Sequence, residues 1–486
     1  MLAPDLPEPV VQSFVVSGAR RTVETGGHIE ESYPPHYAIN GSPIDNLRFA
    51  FKHEPMDLRI VHAVLVRLGK APLEDWIRQE PSGAFSRRAW FLYEKLTGET
   101  LDVANVKSGN YADALDPKRH FVADPINSPR HRVRDNLLGG YALCPVVRRT
   151  RHLEVMAAAG LSEKARRVIA HYPPDVLARA VNYLYTKETR SSFAIEGESP
   201  GRNREERFLR ALRDAPHFHP ADKEALLHLQ AIIVDPRYAA SDWRNFQNFV
   251  GETTRRFGEY VHFICPRPED VPLLMQGWID LTERLRNSSL DPVIATAVSS
   301  FTFVFIHPFE DGNGRIHRFV IHSLLAARGF TPPGIIFPVS AAILRERPLY
   351  DHVLEVFSRS IQPAIDWDFT EENALKVKND TRDLYRFLDV TAQAEYLYER
   401  VGETIRVDFK EEADFVEIFD AATFALRDIV DMPDRRASLL IRLCLQNGGR
   451  LSQNKRKQFE ELSDEEIAQI EGAIQKVIHG SMLESF

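Results

Sequence analysis

The stretch Phe305-Ile306-His307-Pro308-Phe309-Glu310-Asp311-Gly312-Asn313-Gly314-Arg315-Ile316-His317-Arg318 constrains this chain more than any other. An apolar segment runs into it and a second helical pattern leaves it. Asp291-Pro292 supplies an N-cap and a proline at the first helical position, where proline costs least. The spacing predicts a helix with Ile294, Val298, Phe301 and Phe305 on a buried stripe. Pro308 stops that helix and leaves His307 on its exit turn. A second helix is predicted from Gly312-Asn313-Gly314 to Arg328, with Gly329 just past its end.

Between the two helices sit an imidazole, a carboxylate, a glycine-rich turn and two arginines. Glycines at a helix start let a ligand approach free backbone N–H groups, which favour anions and phosphate in particular. Arg315 and Arg318 are three apart on the first turn and share a face, while Ile316, Phe319 and Val320 point inward. Two arginines at the positive end of a helix repel each other and its dipole. An anionic ligand or an acidic residue must offset that, and a polyphosphate does so well. For any single residue, an ordinary helix corner capped by Asp311 is the simpler account. Eight fixed residues in one order outweigh it.

The stretch resembles the core motif of the Fic family, His-Pro-Phe-x-x-Gly-Asn-Gly-Arg-x-x-Arg, and every specified position matches. The resemblance implies an all-α Fic fold, a helical bundle core with a β-hairpin flap. It also implies transfer of AMP from ATP to a Ser, Thr or Tyr hydroxyl of a target protein, with release of pyrophosphate. Carried over by position, His307 is the general base, an imidazole whose pKa lies near working pH. Asp311 holds Mg²⁺, a hard cation that takes carboxylate oxygen. Gly312, Asn313 and Gly314 supply amides to the phosphates, Arg315 grips the β-phosphate, Arg318 meets the γ-phosphate, and Phe309 anchors the loop in the core. His317 receives no role.

Two further segments extend the resemblance, which covers roughly residues 175 to 365. Ser192-Phe193-Ala194-Ile195-Glu196-Gly197 fits the family's inhibitory motif. Ser192 and Glu196 are i,i+4 on one helical face, and the resemblance implies that Glu196 pairs with Arg318 and holds ATP unproductively. Two short β runs between residues 250 and 264 correspond to the flap, which adds a strand from a target protein. Tyr350 lies where the family places a nucleoside contact, although an aromatic on a packed helix is equally a core residue. Two other readings stay open: removal of AMP from a modified protein, and a regulatory scaffold whose C-terminal helices bind DNA or a partner.

The rest of the chain sets bounds. A length of 486 residues suggests two to four structural units. They divide as 1–170, an arm with a helical and loop region; 171–200, the inhibitory segment; 201–375, the core; and 376–486, a C-terminal helical domain. Hydrophobic content of 44% supports a proper core, and a net charge of −8 with mixed signs argues against non-specific nucleic-acid binding. Cys144, Cys265 and Cys444 are scattered, so neither a disulfide framework nor a thiolate zinc site is expected. No secretory signal is recognisable, and the apolar run from Pro292 to Phe309 is too interrupted to span a membrane. A cytoplasmic protein, with a homo-oligomer possible, is the expectation. Residues 1 to about 40 lack sustained periodicity and read as an arm. Arg148-Arg149-Thr150-Arg151 reads as a solvated helix start, and the His217/His219 pair as a loop. Ser463-Asp464-Glu465-Glu466 is a capping box ahead of a final helix.

Overall fold

The computed structural model describes residues 6–25, 28–220, 222–253, 259–372 and 374–484. The architecture is predominantly helical, as expected, and its apolar residues gather into three clusters. The largest surrounds the Pro292–Ile306 helix. Asp291 caps it by accepting from the amides of Val293 (2.8 Å) and Ile294 (3.1 Å). The stripe expectation was too narrow, because every residue from Val293 to Ile306 is buried. Three helices enclose it: Val271–Arg286, Asn313–Ala327 and Thr391–Arg406. Its small hydroxyl residues let these neighbours approach, and Trp278 Nε1 donates to the Ser299 carbonyl at 2.7 Å.

The Pro174–Ile195 helix runs along the bundle and ends above the start of the Asn313–Ala327 helix. It packs on the Val339–Arg345 helix and on the Asp408–Arg427 helix. Buried Glu188 accepts from the Ser340 amide (2.8 Å) and hydroxyl. Lys187 meets Asp408 at 3.0 Å, Arg179 meets Asp420, and Tyr172 donates to Asp414 at 2.6 Å. The Asp408–Arg427 helix contributes Phe409 and Val416 to the central cluster and Ala422 and Leu426 to the C-terminal one. In that last cluster Ser463 and Glu466 form the reciprocal capping box.

The two strands Phe249–Thr253 and Glu259–Ile264 form an antiparallel hairpin, with a register shift between Val261 and Phe263. The middle of the expected flap, residues 254–258, lies outside the described residues.

Two N-terminal expectations need correction. The arm is a three-stranded sheet, Val11–Val15 paired parallel to His28–Tyr33, which pairs antiparallel with Arg21–Thr25. Of its strand side chains only Tyr33 is buried, so backbone pairing rather than an apolar pattern defines it, and periodicity had little to show. The basic cluster is not simply solvated either. Thr150 caps the Arg151–Ala158 helix through the Leu153 amide, while Arg148 binds Asp389 at 2.6 Å. Among the described residues, no helix is long and apolar enough to cross a membrane.

Candidate active site

The site forms where the Pro292–Ile306 helix stops. His307 adopts a left-handed conformation, φ 52°, rare for a residue with a Cβ. Its amide still donates to Phe303 O, and Pro308 prevents a further turn. The chain then drops Phe309 into the core against Trp243 and Phe303. Asn313 closes the loop with its side chain: Oδ1 accepts from the Phe309 amide (3.0 Å) and Nδ2 donates to the Phe309 carbonyl (2.9 Å). Gln230 Nε2 donates to the Asp311 carbonyl at 3.3 Å. The imidazole of His307 is thus carried on a loop pinned from both sides.

Gly312 begins the Asn313–Ala327 helix. The amides of Asn313 and Gly314 are the first of that helix and have no acceptor within it. The amide of Gly312 is spent on Asp311 Oδ1 at 2.6 Å, unlike the two that follow. Gly314 is required by close approach: a Cβ there would stand 2.3 Å from Glu196 Oε1. A carboxylate therefore occupies the space above the helix start, where an anion is favoured.

Both arginines are almost completely buried, at 1% exposure. Arg318 donates through Nε to Ser192 Oγ (3.0 Å), and through Nη2 to Ser192 O (2.8 Å) and Glu196 Oε1 (2.7 Å). Burial pushes the Glu196 carboxyl up, but Arg318 and then Arg315 outweigh it and hold it below its ordinary value. Arg315 meets Asp311 at 2.8 Å and Glu198 at 3.1 Å. Glu198 also binds Arg204, and the Phe193 ring lies beside both guanidinium groups.

Sequence reasoning missed Glu198, Gln230 and Arg244. Glu198 had a usable signal. Gly197 takes φ 72°, and the Glu198 amide donates back to Phe193 O at 3.1 Å, a left-handed helix ending that reverses the chain. That reversal puts Glu196 and Glu198 on the two arginines. Nothing in the spacing marks Gln230 or Arg244, whose contacts with the motif loop span about 60 to 80 residues. Tyr350 is brought to the site's inner wall and is buried, stacked on His317 at 6.1 Å and beside Tyr396. Burial raises its phenol to about 12. Asp311 is half exposed at the mouth; a single carboxylate fits a Mg²⁺ ion that takes its remaining oxygens from phosphates and water.

Residues 220–325 match the sequence profile of the Fic/DOC family. These residues are a Fic domain. The match includes the hairpin, Arg244 and the whole core motif, whereas Ser192, Glu196 and Glu198 lie upstream of it. The chain is also similar to curated relatives. The protein adenylyltransferase Fic of Drosophila willistoni is 33% identical over 149 residues, 30% of this chain and 28% of the relative. That of Drosophila yakuba is 29% identical over 181 residues, 36% of this chain and 35% of the relative. The chain thus spans about a third of the length of the curated relatives it matches. Among solved structures, a Fic family protein from Desulfovibrio desulfuricans is 21% identical, covering 65% of this chain and 85% of that one at a TM-score of 0.39. A Fic domain containing signaling protein from Bacteroides thetaiotaomicron is 18% identical, covering 54% of this chain and 97% of that one at a TM-score of 0.37. With scores below 0.5, neither likeness defines the fold, which rests on the elements described above.

Burial of three imidazoles should make the fold sensitive to acid. It lowers His307 to about 4, with Arg244 adding to the effect, and lowers His317 to about 3. In the N-terminal lobe it lowers His120 to about 4. Unfolded imidazoles take up protons near pH 6.5, and the folded ones only well below that. Unfolding therefore binds protons across this window, so the contribution is complete above about pH 6.5 and lost as pH falls toward 4. Melting temperatures measured from pH 7.5 to 4.5 should fall progressively. A flat series would show these imidazoles to be accessible to protons in the folded state.

Proposed function

We propose that this chain is a self-inhibited protein adenylyltransferase. It moves AMP from ATP to a Ser, Thr or Tyr hydroxyl of another protein and releases pyrophosphate. The single observation that carries the reading is the pairing of a complete core motif with carboxylates on both of its arginines. Phosphates need those guanidinium groups and the free amides of Asn313 and Gly314. The relatives' name, protein adenylyltransferase Fic, and the family match support the activity, and the occupied arginines support the inhibition.

In this reading the neutral His307 imidazole takes the proton of the target hydroxyl as that oxygen attacks the α-phosphorus. The bond from phosphorus to the bridging oxygen breaks, and pyrophosphate leaves with the pair. Arg315 and Arg318 meet the charge on the departing phosphates. A Mg²⁺ ion held by Asp311 would neutralise phosphate charge. The target's extended segment adds to the hairpin formed by Phe249–Thr253 and Glu259–Ile264, as a third strand. Tyr350, buried in the structure, serves as a wall for the nucleoside end. A cytoplasmic placement and a possible homo-oligomer belong to the same reading.

Self-inhibition here has two prongs. Glu196 takes Arg318 and the space above Gly314; Glu198 takes Arg315, which also binds the proposed metal ligand Asp311. Glu198→Gln keeps the shape and removes the charge. It should tighten Mg-ATP binding about three- to tenfold by calorimetry, the effect of one partly exposed ion pair of roughly 1 kcal/mol. An unchanged affinity would restrict the inhibition to Glu196. The test of the whole reading is labelling of lysate proteins by the Glu196→Gly chain from ATP labelled on its α-phosphate: labelled protein is expected, and none would overturn the reading.

A further inference from the structure

We infer that Arg244 is a positioning residue that brackets the His307 turn to the base of the hairpin, and so aligns base with incoming hydroxyl. The inference rests on the transferase reading. Arg244 lies in the segment before the hairpin, is 5% exposed, and uses its donors on backbone carbonyls from three places in the chain. Nε donates to His307 O at 2.8 Å, and Nη2 reaches Ile306 O at 3.5 Å. Nη1 donates to Phe246 O at 2.8 Å, ahead of the first strand, and Nη2 to Pro266 O at 2.7 Å, behind the second. Its own amide donates to Pro308 O at 2.8 Å.

Three consequences follow from that geometry. The last carbonyls of a helix have no partner within it, and a cation there is favoured by the helix dipole. Arg244 therefore supplies the C-terminal cap that Pro308 denies the Pro292–Ile306 helix. It also grips the carbonyl of His307 itself, and so holds the left-handed conformation that aims the imidazole. Finally, one rigid, planar group touches both the catalytic turn and the two ends of the hairpin. Lysine cannot reproduce this, because it offers a point charge instead of a planar fork. The charged groups facing His307 are Arg244, Glu196 and Asp311, and of these only Arg244 lowers its proton affinity.

The test uses the full chain with Glu196→Gly, so that the nucleotide site is open. Initial rates of label transfer from α-phosphate-labelled ATP, Mg-ATP affinity and the pH dependence of both rate and His307 imidazole signals are measured for Arg244→Lys and Arg244→Met. Arg244→Lys should fold, keep Mg-ATP affinity within about twofold, keep the parent's His307 titration, and lose about 10- to 100-fold in kcat, the scale of a slight misplacement. Arg244→Met should move the His307 titration to higher pH. Unchanged kcat in folded Arg244→Lys overturns the inference, as does failure of that variant to fold, which would make the role purely structural. If Arg244→Met does not fold, the Arg244→Lys arm decides. If the Glu196→Gly parent binds Mg-ATP but transfers no label, the transferase reading fails instead. The imidazole titration, which needs no turnover, then still reports the bracket, and an unmoved titration in Arg244→Met overturns it.

Discussion

Replacing Glu196 with glycine should raise labelling of target protein from ATP by one to two orders of magnitude. The estimate follows from the contact removed: a hydrogen bond to a charged partner contributes about 1.5–3 kcal/mol, and each 1.4 kcal/mol is a factor of ten. The change also vacates the space above Gly314, where Glu196 Oε1 stands too close to admit even a methyl group. A second signature accompanies the first. Without Glu196, the buried Arg318 guanidinium keeps Ser192 but loses its only carboxylate partner within 4 Å among the described residues. An uncompensated buried charge is costly, so the apo variant should melt below the wild type. Mg-ATP should then raise its melting temperature more than it raises the wild type's, since ligand binding to the folded state alone stabilises it. An unaltered rate together with an unaltered ATP response would remove Glu196 from any inhibitory role.

The second large effect is loss of transfer in His307→Ala, made in the Glu196→Gly background so that activity is measurable. General-base catalysis contributes about 10²- to 10⁴-fold, and the rate should fall by at least the lower figure. Mg-ATP affinity should stay within a few-fold, because the amides of Asn313 and Gly314 and both arginines remain. The left-handed φ of 52° complicates a simple alanine change. His307→Asn is the proper control, since asparagine tolerates that conformation and supplies no comparable base. Equal loss in both variants assigns the effect to the imidazole. A His307→Asn enzyme that retained a tenth of the parent rate would assign the proton transfer elsewhere. With His307 neutral down to about pH 4 by burial, the parent's rate should not fall on its account between pH 8 and 5.

The central motif was legible because its logic is local. Pro308 ends one helix, Gly312 starts another, and the fixed residues between have few ways to connect them. The pairing of Glu196 with Arg318 was legible only through family resemblance, since 122 residues separate them. Arg244 and Gln230 were not legible at all. Each acts through backbone carbonyls of distant segments, and a carbonyl carries no residue identity for a pattern to catch. The Pro292–Ile306 helix misled for a different reason: with neighbours on every side, its Thr and Ser faces are as buried as its Phe face. The N-terminal sheet escaped because short, exposed strands lack the alternation that marks a half-buried one.

The segment from Ser192 to Glu198 is fixed to a 22-residue helix that two other helices hold in place. On the proposed reading its carboxylates act as tethered competitors, whose strength is set by an effective concentration instead of by abundance. Tethers that hold a group near its site give millimolar values even when flexible, and a rigid, correctly aimed helix exceeds them. Raising nucleotide concentration is an inefficient way to displace such a competitor. Drawing the helix end back by a few ångströms is an efficient one, because it lowers the local concentration at both arginines at once.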